Sequence, residues 1–577
     1  MFYIDNLLRN EYIPIELPPC YSSNDFADNV HLALTAVSTT SKRGYSEPLK
    51  YSGYKNENAR RKFAVPNPYH YLLAVDFIVQ HRTEIAAILN RSTISLTAPI
   101  NKKVSANQPF TKRTNSVSET KCEIEKLFQN NRYEIRLDIN SFFDNIYTHA
   151  LSWAVHTKPI AKQHRNDLSY WGNCLDKVLR AMNSNQTNGI LIGNAVSRIA
   201  SEIILCTVDE QLTKKFKDIA CRRFVDDYYI YVKNSNQVQE VISFLRSELA
   251  HYELSLNESK LRVSESPFVY GNPGVEKIKH YLHLKPDAFL SQLIIEYRKQ
   301  KDLAVLKYGL RVLQNYVAPS NEWSAFQSRL LNLLVSFPSL AHLLFPIFWA
   351  NKEQLGKNAF KNALYSVIDE AIILQREQEL VWAIWMIKAF DIKISIPMVK
   401  KVLTSQNDLA LLIALDLIYS NGMENSRSIK QQLSSLYDEL SMDDVDSQGN
   451  ANTLLWTPRW LLAYEITRNK WLRLGNDRNF NFANKTPFFK ALIGGNIKFY
   501  DPNFQYSAPS RHNFRLEYAT KKDVFDLRKE FLEILNKFKK SVSDRLPTGE
   551  DLMVLSPEEE ELLNDLFMAL DNELPLY

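Results

Sequence analysis

The chain has 577 residues, 45% of them apolar, with 70 Lys and Arg against 65 Asp and Glu. That is too long for one hydrophobic core, so roughly two to four structural units are expected, and it is too apolar and too evenly charged for a disordered chain. Only 15 glycines are present, well under the ~7% of average usage, which disfavours turn-rich all-β folds and favours helix. The net charge of +5 permits nucleic-acid binding without demanding it.

In chain order, the N-terminus MFYIDNLLRNEYIP carries Asp5, Arg9 and Glu11 inside any apolar run, so it is not a signal peptide. The five cysteines, Cys20, Cys122, Cys174, Cys206 and Cys221, lie far apart with no CxxC pair. Neither a disulfide framework nor a zinc ribbon is indicated, and a reducing, cytoplasmic compartment is expected. Residues 93–120, rich in Ser, Thr, Asn and Lys, read as an exposed loop or insertion. Up to about Arg262 short β-like runs mix with helices, and after about Leu282 the pattern is almost entirely helical. The Pro- and Gly-punctuated stretch 264–274 (SESPFVYGNPG) separates the two, placing units at residues 1–265 and 266–577.

In the second unit, stretches such as 377–390 and 408–419 have apolar residues at three and four spacing and predict stacked, HEAT-like helical pairs. The stretch 330–350 is apolar but broken by Pro338, His342 and Pro346, which argues against a membrane span. His280 and His283 lack a third ligand and do not read as a zinc site. Ser556, Pro557 and Glu559 mark the start of an acidic final helix running to about Leu570.

The chemistry-bearing residues lie in the first unit. YEIRLD (133–138) reads as a strand with Ile135 and Leu137 on one side and Asp138 at its end. RFVDDYYIYVK (223–233) reads as a hairpin with Asp226 and Asp227 at its turn. Adjacent carboxylates repel, and a hard divalent cation is their natural counterion, so Asp138, Asp226 and Asp227 form a candidate two-metal site. Between them, NGILIGNAVSRIASEIIL (188–205) places Gly189 and Gly193 around a tight loop where a base pair could approach, followed by a helix with Val196, Ile199, Ala200 and Ile203 on one face.

These segments together resemble the palm of a reverse transcriptase: DINSFF its first motif, GILIG and the following helix its second, FVDD its third, and LNESK (256–260) its fourth. The match is closest to the bacterial abortive-infection reverse transcriptases of the AbiK type, within the defence-associated group. The first motif runs on into Tyr147, Thr148 and His149 and the second into Ser197 and Arg198, as in that family. ARRKFAVPNPYHY (59–71) resembles its fingers, LPPCYSSNDFA (17–27) its N-terminal region and RWLLAYE (459–465) part of its helical C-terminal half. The implied fold is α+β, reverse-transcriptase fingers and palm followed by an all-α, HEAT-like region.

The resemblance implies a DNA polymerase serving antiphage defence, using two Mg²⁺ ions, or Mn²⁺ in their place, and deoxynucleoside triphosphates. Asp138, Ile139 and Asp226 would hold metal, with Asp227 assisting catalysis. Phe143 would lie under the nucleotide sugar and exclude a 2′-hydroxyl; Ile139, Lys260, Arg60, Arg61, Lys62 and Gly193 would complete the nucleotide site. Leu191 and Ile192 stand where ordinary reverse transcriptases have Pro-Gln, removing an amide contact to the nucleotide. No ribonuclease or integrase carboxylate set stands out in the C-terminal half.

The family makes DNA untemplated, primed from one of its own tyrosines, and assembles as oligomers, implying a covalently attached DNA product. Tyr45, Tyr51 and Tyr54, in a polar stretch (39–54) that reads as a mobile loop, are the candidate primers. The rival readings are cDNA synthesis on a partner non-coding RNA, RNA-dependent RNA synthesis, for which Phe143 is the discriminator, and a non-catalytic nucleic-acid-binding scaffold.

Overall fold

The computed structural model describes residues 3–9, 11–40, 43–99, 117–314, 316–443, 454–474, 478–479 and 486–507. The final helix expected from Ser556 lies outside them. Two strands, β1 (Leu49–Asn56) and β2 (Ala59–Val65), form an antiparallel fingers hairpin with Leu49 opposite Val65. Asn67 accepts the Tyr69 N–H and Pro68 follows at the first helical position, which starts the helix α2 (Pro68–Gln80) where the hairpin ends. Ahead of the hairpin, helix α1 (Val30–Thr39) closes the N-terminal region.

The palm is a four-stranded antiparallel sheet in the order β4-β5-β3-β6, built from β3 (Tyr133–Leu137), β4 (Ala220–Phe224), β5 (Asp227–Val232) and β6 (Arg262–Glu265). Alternation decides its faces: Ile135, Ile230 and Val232 are fully buried, and β3 and β5 pair Ile135 with Ile230. Helix α3 (Phe142–Asn145) follows β3, and α4 (Trp171–Met182) packs on α2. Asn194 caps α5 (Ala195–Lys215), and a capping box of Asn234 and Gln237 starts α6 (Ser235–His251), which lies against β3 and β5. α5 is buried nearly all round, more than the single apolar face read from the sequence.

The other sheet face carries a small second core in which Tyr231 packs on Phe128 and Phe268, and Tyr229 on Tyr270. Aromatics of the Pro/Gly-punctuated stretch thus still belong to the palm's packing.

Beyond it the chain is a stacked helical array in which α7 (Ser320–Ser336), α8 (Lys357–Ile373), α9 (Glu377–Ala389), α10 (Asp408–Ser420) and α11 (Trp460–Asn469) each pack on the next. A pair of antiparallel two-residue strands, β7 (Arg473–Leu474) and β8 (Arg478–Asn479), interrupts it before α12 (Pro487–Gly494). α9 and α10 are buried on nearly every side because neighbours cover both flanks.

The N-terminal region closes the molecule. α1 packs on α12, and the Ser22 N–H donates to the Phe499 carbonyl at 3.0 Å. One continuous core therefore includes both halves of the sequence. Among the described residues no single helix is long and apolar enough to cross a membrane; Ser320–Ser336 and Pro338–Ala350 pass that test only as a pair bent by 115°.

Candidate active site

β3 ends by delivering Asp138 into a buried corner, where its side chain is 8% exposed. The backbone there is pinned by the fourth-motif segment: the Asn257 N–H donates to the Asp138 carbonyl at 2.8 Å, and the Asn257 side-chain amide to Asp138 Oδ2 at 3.1 Å. Lys260 Nζ lies 2.7 Å from the same Oδ2. Asn257 was not singled out from the sequence, although it sits within LNESK.

Phe224 pairs with Asp227, so Val225 and Asp226 are the two loop residues of the β4–β5 hairpin. Val225 has φ +54°, a conformation such hairpins normally give to Gly and one that a β-branched residue rarely adopts. The turn brings Asp226 and Asp227 to Asp138. Burial, then the charges of Asp227 and Asp138, push the Asp226 carboxyl up to about 7. Burial and Asp138 also raise Asp227, against the pull of Lys260. Burial works against the Lys260 charge, but the three acids outweigh it and hold the ammonium above its usual range.

An open cleft of about 270 Å³ lies beside the acids, lined by Asp138, Asp227, Lys260, Tyr229, Arg136 and Arg262. Arg136 stacks over the Tyr229 ring at 5.6 Å and pairs with Glu134 at 3.1 Å. Among the described residues no group of three or more His, Cys, Asp or Glu side chains is arranged as a ready-made metal-ion site. The donor chemistry nevertheless suits a hard divalent cation: clustered carboxylate oxygens whose burial and mutual repulsion raise the Asp226 carboxyl, a cost that a divalent charge would relieve.

The remaining sequence-derived residues divide. Ile139 is buried and bridged to Leu256, so only its backbone carbonyl could serve a cation. Phe143 is half-buried on α3, its ring 5.3 Å from that of Phe142. Gly193 has φ +103°, and a Cβ there would meet Pro14 Cγ at 2.8 Å. The close approach it permits is to the protein's own Pro14, where a base pair was expected.

Arg60, expected at the nucleotide, has a partner within the protein. Its guanidinium forks onto Glu379 of α9, with Nη1 2.7 Å from Oε1 and Nη2 2.5 Å from Oε2. Arg61 and Lys62 are exposed on β2. The 39–54 stretch is also not a loop throughout. The Ser46 N–H donates to the Ala181 carbonyl at 3.0 Å, the Glu47 N–H to the Trp456 carbonyl at 2.8 Å, and β1 begins at Leu49. Tyr51 is 3% exposed and stacked on Phe63, which removes the mobile setting expected for it. Tyr54 is half-buried, with Lys307 Nζ 5.7 Å from its ring centroid, and Tyr45 is 48% exposed.

A third departure is 93–99, expected as exposed loop. Ile94, Ser95, Leu96, Thr97 and Ala98 are buried, because their hydroxyls find buried carboxylates and Leu96 joins the palm's second core.

Residues 81–282 match the family model for reverse transcriptase (RNA-dependent DNA polymerase). A search of curated protein sequences returned no match. Among solved structures, telomerase from Candida albicans in complex with a fragment of telomeric RNA aligns at 12% identity and TM-score 0.28, over 61% of this chain and 68% of that one. Apo telomerase from Candida tropicalis aligns at 12% identity and TM-score 0.29, over 68% and 74%. At those scores the family match alone carries the assignment. Residues 81–282 are a reverse-transcriptase domain, and the protein is a nucleotidyltransferase of that class.

Proposed function

We propose that the protein polymerises DNA by a two-metal mechanism, with Asp138, Asp226 and the Ile139 carbonyl holding two Mg²⁺, or Mn²⁺ in their place, and Asp227 assisting. The observation that carries this reading is the meeting of three carboxylates at one corner, with Asp226 pushed up to about 7. Such cations, when bound, clamp the attacking and leaving oxygens of an in-line phosphoryl displacement. Lys260, half exposed beside Asp138, neutralises phosphate charge at the cleft, joined by the exposed Arg61 and Lys62 of the fingers. Phe143 limits space at the sugar of a deoxynucleoside triphosphate.

The resemblance of the palm motifs and their continuations supports reading this activity as antiphage defence of the AbiK type, in the cytoplasm, by an oligomeric enzyme that synthesises DNA untemplated on one of its own tyrosines. Of the three candidate primers, exposure favours Tyr45. A second reading, templated cDNA synthesis on a partner RNA, is supported by the RNA-dependent polymerase family matched at residues 81–282.

The test is incubation of purified protein with Mg²⁺ and each labelled nucleotide, followed by denaturing gels and sequencing of the product. Polymerisation lost in a well-folded Asp226→Asn protein is the expected result; full incorporation by that variant would refute the site. Mass spectrometry of digested, active protein locates any nucleotide adduct, and product that is never attached excludes self-priming. Product made only with added RNA selects the templated reading.

A further inference from the structure

The catalytic turn is held by buried groups on the helix of the second palm motif, by Arg223 beside the third, and by a segment, Ser92 to Ala98, that no palm motif includes. Val225 precedes Asp226 in a strained conformation, and both of its backbone polar groups have side-chain partners. Its N–H donates to Thr97 Oγ1 at 3.1 Å, and its carbonyl accepts from Arg223 Nη1 at 2.7 Å. The Thr97 hydroxyl donates in turn to Glu202 Oε1 at 2.7 Å, and the Ser95 hydroxyl to Oε2 at 3.0 Å.

Arg223 is fully buried. Its guanidinium binds Glu202 at 3.0 Å and Asp209 at 2.7 Å, both on α5. Asp209 also accepts from the Ser92 and Tyr228 hydroxyls. Burial of Glu202 favours its neutral form, but the Arg223 charge and the two hydroxyl donors overcome this and keep it below the usual carboxylate range. The backbone of 94–96 adds a bridge, with the Arg223 N–H on the Ile94 carbonyl at 2.9 Å and the Leu96 N–H on the Arg223 carbonyl at 2.8 Å.

A strained non-glycine turn persists only where its surroundings over-determine it. Here the surroundings are the segment Ser92 to Ala98, the helix α5, and Arg223 of β4 between them. Arg223 and Glu202 also form a buried ion pair, and removing either partner is strongly destabilising in its own right. The Thr97 hydroxyl is different: it is a single group, on a separate segment, that touches the turn directly.

We propose that Thr97, backed by Glu202 and Arg223, is a positioning residue that sets the Val225–Asp226 turn so that Asp226 can share a divalent cation with Asp138. This rests on the two-metal reading above. Thr97 touches neither substrate nor cation and acts only through Val225.

Thr97→Val keeps the shape but removes the hydroxyl, leaving the Val225 N–H without its acceptor; Thr97→Ser keeps the hydroxyl. Thr97→Val should lower the rate about tenfold, the scale of one buried hydrogen bond lost, and raise the Mg²⁺ concentration for half-maximal rate several-fold, with the nucleotide KM little changed. Thr97→Ser should restore both, a rescue that a merely structural role at the melting temperature would not produce in the Mg²⁺ dependence. A native rate and native Mg²⁺ requirement in Thr97→Val, or equal losses in Val and Ser variants, overturns the proposal.

Should Thr97→Val fail to fold, Thr97→Ala is measured in the same way, with the same two outcomes. Mn²⁺ binding followed by electron paramagnetic resonance separates this proposal from the polymerase reading. Weakened binding in Thr97→Val, with binding abolished in Asp226→Asn, supports the clamp even where no product forms. Binding lost in Asp226→Asn but native in Thr97→Val sinks the clamp alone. Binding untouched by Asp226→Asn sinks both.

Discussion

The Arg60–Glu379 pair decides between two roles for the fingers. Sequence resemblance assigns Arg60 to the incoming triphosphate, whereas the structure turns it onto the helical array. The Glu379 side chain is 2% exposed and that of Arg60 29%, and Arg60 Nη2 also reaches the Ser52 carbonyl at 3.0 Å. Neighbouring contacts tie the same hairpin to α9: the Ser52 N–H donates to Glu377 at 2.6 Å and the Tyr54 N–H to Gln378 at 3.1 Å.

Arg60→Leu leaves a buried carboxylate without its cation, a change worth about 3–5 kcal/mol for a fully buried pair. Because the arginine end is partly solvated, about 2–4 kcal/mol is expected here. Arg60→Leu with Glu379→Leu removes both charges and should cost clearly less than the sum, with a coupling of about 2 kcal/mol in a urea-unfolding double-mutant cycle. The folded double variant should keep the native nucleotide KM. Additive stability effects, or a tenfold rise in KM in a single variant of native stability, would show that Arg60 serves the triphosphate and that the tether is incidental.

Other predictions concern the site itself. Gly193→Ala forces a side chain into φ +103° and against Pro14, and should destabilise by about 1–3 kcal/mol; an unchanged melting temperature would contradict that geometry. Phe143→Ala should loosen discrimination between ribo- and deoxynucleotides more than it slows deoxynucleotide addition; an unchanged selectivity ratio in direct competition would make Phe143 a packing residue only. The Asp226 carboxyl, raised to about 7, keeps its proton below that pH, and a divalent cation must displace it. Apparent Mg²⁺ affinity should therefore weaken up to about tenfold per unit below pH 7 and level off above it, and a flat titration between about pH 6 and pH 8 would refute the raised value. By the same sign, the metal-free protein is favoured by this group below about pH 4 and loses that contribution as pH rises through 7, a loss Mg²⁺ should offset in thermal melts.

Local pattern was enough for much of this molecule. Alternation in YEIRLD and the hairpin pattern of RFVDDYYIYVK are properties of a few consecutive residues, so Asp138 could be placed at a strand end and Asp226 in a turn before any tertiary contact was known, whereas Asp227, also read into the turn, begins β5 opposite Phe224. Periodicity likewise marked the helices later found at Glu377–Ala389 and Asp408–Ser420. Orientation was a different matter. Arg60 reads as a fingers cation until α9, more than 300 positions away, supplies a buried carboxylate that outcompetes solvent for the guanidinium. Tyr51 reads as a loop tyrosine until Phe63 pairs opposite it. Thr97 sits in a stretch whose hydroxyls look solvated, because a polar side chain is buried only where a partner waits, and its partners, Glu202 and Val225, come from a helix and a turn far along the chain. Short-range sterics and spacing decide which element forms; which polar group a side chain meets is decided only when distant segments close over it.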